Sequence, residues 1–245
     1  MRFLLVLWDL DFTLLNAGGV GTRLYRRVFH DMFGTELPGA ADMAGRTDRA
    51  IVLDTLARAG IPEPRRHLDQ FLARLATSAP TIRELAAQYC RALPGATAAV
   101  DALAAFAPGP AAPQGNGAVR VVQSVLTGNV RPMAEVKLGA IGLAGHLDLD
   151  AGAYGEAHEI RSELVHLARR NAARRYGTDF AGQATVLVGD TPLDVAAALE
   201  TGARAVAIAT GGSSAASLAE SGAHAVLPDL TDTPAVLAAI LGAHP

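Results

Sequence analysis

The chain opens with an unbroken apolar run, Phe3 to Trp8, followed at once by Asp9 and Asp11. A short run of this kind fits a strand buried on both faces, as in a parallel sheet. Four stretches with helical periodicity follow. Leu24, Val28 and Met32 recur at four-residue spacing. Thr47 is placed to cap a second helix carrying Ile51, Thr55, Leu56 and Ala59, which stops at Gly60 before Pro62. A third stripe is Leu68, Phe71, Leu72 and Leu75, and a fourth is Ile82, Leu85, Ala86 and Tyr89. No strand pattern stands out between Asn16 and Ala92. Beyond the Pro/Gly-rich segment Ala107 to Ala118, expected to be a flexible loop, the texture changes. Strands are predicted at Val119–Leu126, near Leu147–Asp150, and at Ala184–Val188, Ala205–Ala209 and Ala225–Leu227. Helices are predicted at Arg131–Ile141, Ile160–Tyr176 and Leu193–Thr201. Such alternation predicts an α/β fold: a doubly wound, mostly parallel Rossmann-like sheet. The expected core is residues 1–15 and 93–245, with 16–92 inserted as an all-α cap.

Composition narrows the classes. The 245 residues are 50% hydrophobic and carry a formal net charge of −3 with no basic run, so nucleic acid is not an expected partner. The one cysteine, Cys90, excludes an intramolecular disulfide. The first apolar run is too short to span a bilayer and lacks a signal-peptide layout, so a cytoplasmic chain with no membrane association is expected. A monomer or homodimer is expected. Lys137 is the only lysine, so any role that demands one has a single candidate.

Four polar clusters fall at predicted strand ends, where ligands of open α/β sheets bind. They are Asp9, Asp11 and Thr13; Thr127, Gly128 and Asn129; Arg161; and "GDTPLD", Gly189 to Asp194. Asp9 and Asp11 are two apart, so in extended chain they point to one side, with Cα atoms about 7 Å apart. One carboxylate can attack phosphorus while the other manages the leaving group's proton. Asp9 and Asp190 can supply two oxygen ligands to Mg²⁺. Thr127 and the amides of Gly128 and Asn129 can bind phosphate oxygens at a helix N-terminus, and Arg161 can neutralise remaining charge. Arg46, in a loop ahead of a capped helix, is expected to reach down and bind a substrate anion.

In order and spacing, "DLDFT" (Asp9 to Thr13), "LTGN" (Leu126 to Asn129), a basic residue and "GDTPLD" resemble the four motifs of the haloacid dehalogenase-like superfamily. The helices at 16–92 resemble the small cap of its phosphoglycolate phosphatase-like branch. The resemblance implies a Mg²⁺-dependent phosphatase acting on a small phosphorylated metabolite. Asp9 would be the nucleophile and Asp11 the acid/base. Asp190 and the backbone carbonyl of Asp11 would complete the protein's metal ligands. Asp194 would be a ligand through water or a neighbour that orients one. Thr13 would hold the loop or the phosphate. The cap would close over substrate, with "AGGVG" (Ala17 to Gly21) as a hinge.

Two positions depart from the family pattern. Phe12 stands where the family usually has glycine. Either its backbone is ordinary, or the turn is shifted, or the phenyl faces the cap and narrows the site. The basic residue is most often lysine in the family. Lys137 lies ten residues past Thr127, roughly 15 Å along a continuous helix. Arg161 is therefore expected to fill the role and Lys137 to be a solvated helix residue. The main alternative activity is a sugar phosphomutase of the same superfamily. A non-catalytic receiver-like phosphoacceptor is a poorer match, because its acidic pair and its phosphoacceptor lie on different strands. A phosphonate hydrolase needs a cap lysine, which residues 16–92 lack, and a dehalogenase has no use for Asp11.

Overall fold

The computed structural model describes residues 2–39, 41–107 and 119–242. Most of the Ala107–Ala118 segment lies outside them. In chain order the elements are β1 (Arg2–Trp8), β2 (Leu15–Asn16), α1 (Val20–Phe33), α2 (Asp48–Arg58), α3 (Pro64–Ser78), α4 (Arg83–Tyr89), β3 (Arg91–Ala92) and α5 (Ala96–Ala104). There follow β4 (Val119–Thr127), α6 (Arg131–Ala140), β5 (Ala153–Tyr154), α7 (Arg161–Tyr176) and β6 (Thr185–Gly189). The chain continues through α8 (Pro192–Glu200), β7 (Arg204–Ile208), α9 (Ala215–Glu220), β8 (Ala225–Leu227) and α10 (Thr233–Leu241).

Six parallel strands form one sheet in the order β5-β4-β1-β6-β7-β8. The apolar run that opens the chain lies at its centre. Side chains alternate across a strand, so Leu4, Val6 and Trp8 pack on one face with α5, α6 and α10. Leu5 and Leu7 pack on the other face with α7, α8 and α9. Leu4 through Trp8 have no solvent exposure. The Trp8 indole donates to Gln123 Oε1 at 3.1 Å, and the Gln123 amide donates to the Val100 carbonyl, so this polar pair is satisfied inside the core. The reversal of strand order falls between β4, β1 and β6, the point where α/β sheets open a crevice at their carboxyl ends.

Residues 16–92 supply α1 to α4, whose apolar faces gather around Leu24, Phe29, Val52, Leu56 and Phe71. Val130, Met133 and Val136 of the α6 region enter the same cluster, so α6 serves both the sheet and the helical block. The two ends of the block pair as a short antiparallel ribbon, Leu15 with Ala92 and Asn16 with Arg91. This ribbon has no sequence signal of its own at two residues per strand. Gly18 and Gly19, within the expected hinge, have φ of 58° and 77°, and a side chain at Gly18 would press on Tyr89.

The strand predicted near Leu147–Asp150 is not there; the segment is a turn, and the edge strand is β5, a few residues later. Leu147 is buried in the core, which gave the strand-like pattern, but Asp148 pairs with Arg175 and Tyr176. Helices α5, α9 and α10 have no predicted counterpart; all three are short and rich in alanine, and the stripe of α5, Ala96, Ala99, Val100 and Leu103, is half alanine.

The start of α2 is fastened to the sheet. Thr47 caps the helix, accepting from the Ala50 amide at 3.2 Å, and donates its hydroxyl to the Glu159 carbonyl at 3.1 Å. The Asp48 amide donates to the Gly128 carbonyl at 2.7 Å, and the Arg49 amide to the Gly155 carbonyl at 3.1 Å. The buried Asp48 carboxylate accepts from Tyr25 of α1 and from the Val130 amide that opens α6, each at 2.7 Å. One side chain therefore joins the helical block to the end of β4. Burial pushes its pKa from 3.8 up to about 6, against the lowering effect of its hydrogen bonds to Tyr25 and Val130.

A folded-state pKa above the unfolded value means stability that is present below the unfolded pKa and lost as pH rises through the folded one. Compared with Asp48→Asn, the unsubstituted protein should therefore lose about 2 kcal/mol of unfolding free energy between about pH 4 and pH 7. Denaturant unfolding of both proteins at the two pH values checks this, and a pH-independent difference would contradict it.

Candidate active site

The loops after β1, β4 and β6 meet at the switch point of the sheet. Asp9 follows β1 directly, and its amide still donates to the Val188 carbonyl of β6 at 2.8 Å. Asp190 follows β6, and Asp194 lies in the first turn of α8. All three acids are buried, and each offers an oxygen within 4.8 Å of the others. Arg161, the first residue of α7, reaches into the group. Its Nη2 lies 2.7 Å from Asp9 Oδ1, 2.6 Å from Asp194 Oδ1 and 3.3 Å from the Leu126 carbonyl; its Nη1 donates to the Gly45 carbonyl at 3.2 Å.

Three buried carboxylates face one guanidinium. Burial pushes the Asp9 pKa well above the usual carboxylate range, with Arg161 opposing and Asp194 and Asp190 adding to the rise. Burial, then Asp194, pushes Asp190 from 3.8 up to about 7. For Arg161 burial acts to lower the pKa, but Asp194 and Asp9 outweigh it and hold the group charged. The excess negative charge is what an all-oxygen divalent cation site requires, so this donor set fits one. Gly211 abuts it, and a Cβ there would collide with Asp190 Oδ2.

Asp11 turns to a different partner set. Lys137 Nζ lies 2.8 and 2.6 Å from its two oxygens and 2.7 Å from Asn129 Oδ1. The Asn129 amide donates to Asp11 Oδ2 and to Thr127 Oγ1, each at 2.8 Å. The expectation of a solvated Lys137 is thus wrong: it is buried, and it is the cation of Asp11. The error lay in counting from Thr127. The helix begins at Arg131, with Pro132 in its first turn, so Lys137 is only six residues in, about 9 Å along the axis. Helical side chains lean toward the N-terminus, and the lysine stem covers the rest. The proline was the available signal. Arg161 and Lys137 do not compete for one position; they serve different carboxylates.

Thr13 is buried and donates to Asp190 Oδ1 at 3.3 Å. Thr127 is buried at the end of β4. Gly128 admits no side chain, because a Cβ would collide with the Arg46 carbonyl. Arg46 thus approaches Gly128 through its backbone, while its guanidinium is held by Asp54 and main-chain carbonyls rather than by the acids after β1 and β6. Nη1 lies 2.9 Å from Asp54 and 3.0 Å from the Asp42 carbonyl, and Nη2 lies 3.3 Å from the Ala50 carbonyl. Asp54 is two turns into α2 and draws the charge there. Asp194 Oδ2 accepts from the Thr191 amide and hydroxyl, so the residue also closes the capping box of α8. Phe12 has φ 62°, so the backbone there is left-handed despite the phenyl, which is 46% exposed.

Above these loops lies a cavity of about 480 Å³ between the sheet and the helical block. Asp9, Asp11, Asp190, Lys137 and Arg161 form one end, and Phe12, Tyr25, Ile51, Leu75 and Met133 line the remainder with the Arg46 loop. Among the described residues, no helix is long and apolar enough to cross a membrane.

Residues 163–233 match the model of the HAD-hydrolase-like family. No curated protein matches the sequence significantly. Solved structures match nearly end to end. A haloacid dehalogenase-like hydrolase from Streptococcus pneumoniae superimposes with a TM-score of 0.60 at 16% identity, covering 95% of this chain and 97% of its own. A protein described as a predicted phosphatase from Clostridium acetobutylicum gives 0.64 at 14% identity, with 97% and 99% covered. One described as a predicted phosphoglycolate phosphatase from Haemophilus somnus gives 0.60 at 18%, with 96% and 98% covered. The fold is that of these proteins, and the segment carrying "GDTPLD" and the strands after it is similar to the HAD-hydrolase-like family model.

Charge crowding in the acidic group has a measurable sign. Without divalent ions, Asp190→Asn should stabilise the fold by about 1–2 kcal/mol, because one of three mutually repelling buried carboxylates becomes neutral and still accepts from Thr13. A raised unfolding midpoint for the variant in chelator checks this; a lowered one would show that the three charges are compensated.

Proposed function

We propose that the protein is a Mg²⁺-dependent phosphatase acting on a small phosphorylated substrate through an aspartyl-phosphate on Asp9. The observation that carries this reading is the separation of the two acids of "DLDFT" into different electrostatic settings. Asp9 sits with Asp190, Asp194 and Arg161, whereas Asp11 is held by Lys137 and Asn129.

In the first step an Asp9 oxygen attacks phosphorus, the bond to the ester oxygen breaks, and Asp11 donates a proton to that oxygen. In the second, Asp11 takes a proton from water as the water oxygen attacks phosphorus and releases Asp9 and inorganic phosphate. Arg161 orients Asp9 and offsets charge beside it. Lys137 and Asn129 fix Asp11 at the ester-oxygen side, and Thr127 and the Gly128 amide would bind the phosphate oxygens, the Asn129 backbone amide being held by the Thr127 hydroxyl. Mg²⁺ held by Asp9, Asp190 and the Asp11 carbonyl, with Asp194 behind them, would supply the charge neutralisation that anion-on-anion attack needs. Residues 16–92 act as the cap that excludes bulk water. The family match and the phosphatase descriptions of its structural neighbours support this class.

Asp9→Asn should lower phosphate release by about 10³-fold or more, and chelation should abolish it until Mg²⁺ is restored. Arg161→Ala and Lys137→Ala should each cost about 10²-fold or more. A colorimetric phosphate assay over a panel of phosphomonoesters reads all four. Activity retained in Asp9→Asn, or after chelation, would overturn the aspartyl mechanism.

A further inference from the structure

The cavity beyond the catalytic loops is built for an apolar leaving group. Its wall there is Tyr25, Ile51, Leu75 and Met133, drawn from α1, α2, α3 and α6, all buried side chains of the helical block and its α6 neighbour. Two polar groups near this wall, the Tyr25 hydroxyl and the Arg46 guanidinium, are already engaged, and two further polar side chains there, Thr22 and Asn16, are uncharged. The Tyr25 hydroxyl donates to Asp48, and both Asp48 oxygens accept hydrogen bonds, so Tyr25 offers the cavity its ring rather than its hydroxyl. The Arg46 guanidinium is held by Asp54 and by the Asp42 and Ala50 carbonyls. The other cations lining the cavity, Lys137 and Arg161, are in contact with the catalytic acids. A second anionic group on the substrate would enter this end of the cavity with no uncommitted cation among the described lining residues, and a buried unpaired charge is strongly disfavoured.

Phe12 adds an independent observation. A bulky residue at φ 62° is strained, and such strain persists where the surroundings enforce it and where function uses it. The phenyl is 46% exposed, so burial in the core does not explain it, and it lines the same cavity.

We propose that the substrate is a phosphomonoester whose leaving group is uncharged and apolar, alkyl or aryl, seated against Ile51, Leu75, Met133 and the rings of Tyr25 and Phe12. This rests on the phosphatase reading for its phosphate end, while the apolar preference rests on the cavity wall. Each methylene buried against that wall strengthens binding about fourfold.

The test is calorimetric binding of non-hydrolysable phosphonates to the full chain in Mg²⁺. The series is ethyl-, propyl-, butyl- and pentylphosphonate, with the ω-carboxylated counterpart of each. Affinity should climb about fourfold per carbon, and each carboxylated partner should bind at least about tenfold more weakly. Ile51→Arg should reverse that preference. Phe12→Gly should weaken pentylphosphonate several-fold without lowering the unfolding midpoint, since it removes a ring contact and relieves the backbone. Affinity independent of chain length, no binding at all, or carboxylated ligands bound as tightly as alkyl ones would overturn the proposal. Hydrolysis of pentyl phosphate is scored separately. No phosphate release from any ester, with the phosphonate series intact, would remove the phosphatase reading and leave the apolar preference standing.

Discussion

The structure turns on a concentration of like charge that hydrophobic packing alone would not tolerate. Asp9, Asp190 and Asp194 lie buried at the carboxyl ends of β1 and β6 with one guanidinium among them. The surrounding fold makes this arrangement obligatory. β1 is the central strand, apolar on both faces, and its register with β6 pairs Trp8 with Val188, so Asp9 falls beside Gly189, one residue before Asp190. The box that starts α8 fixes Asp194 through Thr191, and α7 delivers Arg161 from the other side. The sheet's packing thus supplies the free energy that holds the acids together, and a divalent cation is the natural relief.

The helical block is held by a second set of constraints. It packs on the core through Val130, Met133 and Val136 of the α6 region, and main-chain hydrogen bonds from Asp48 and Arg49, with the Asp48 carboxylate joining α1 to α6, add direction to that packing. These bonds set the position of the Arg46 loop over Gly128, where absence of a side chain allows the two backbones to touch. The cavity that results is bounded by the site's charges at one end and by side chains from four helices elsewhere. The face the block turns inward carries Tyr25, Ile51 and Leu75, and its arginine at the cavity, Arg46, is held by Asp54.

Much of this was legible in the chain. The unbroken run before Asp9 marked a central strand because only a strand covered on both faces reads that way. The four polar clusters marked the site because strand ends in a parallel sheet converge. What escaped was set by tertiary context. The two-residue ribbon of Asn16 and Arg91 has no periodicity to detect. The pattern at Leu147 reflected burial of a turn rather than a strand. The loop position of Arg46 points it toward the site, but its guanidinium pairs with Asp54, two turns into the helix that follows. Lys137 was misplaced because its distance was measured along the axis from the wrong residue.

The two cations meet different needs. Arg161 meets two carboxylates and two carbonyls at once, which a planar fork with five donors can do and a point-like ammonium cannot. Lys137 meets a different need. It donates to both oxygens of Asp11 and to Asn129, a compact cluster that three tetrahedral N–H groups satisfy. Asn129 then ties that cluster to Thr127 at the end of β4. Two acids only two residues apart are thereby held in separate networks, one rooted in β6 and α7 and the other in β4 and α6. That division keeps the carboxylate surrounded by acids distinct from the one surrounded by donors, so two neighbouring aspartates sit in opposite electrostatic settings.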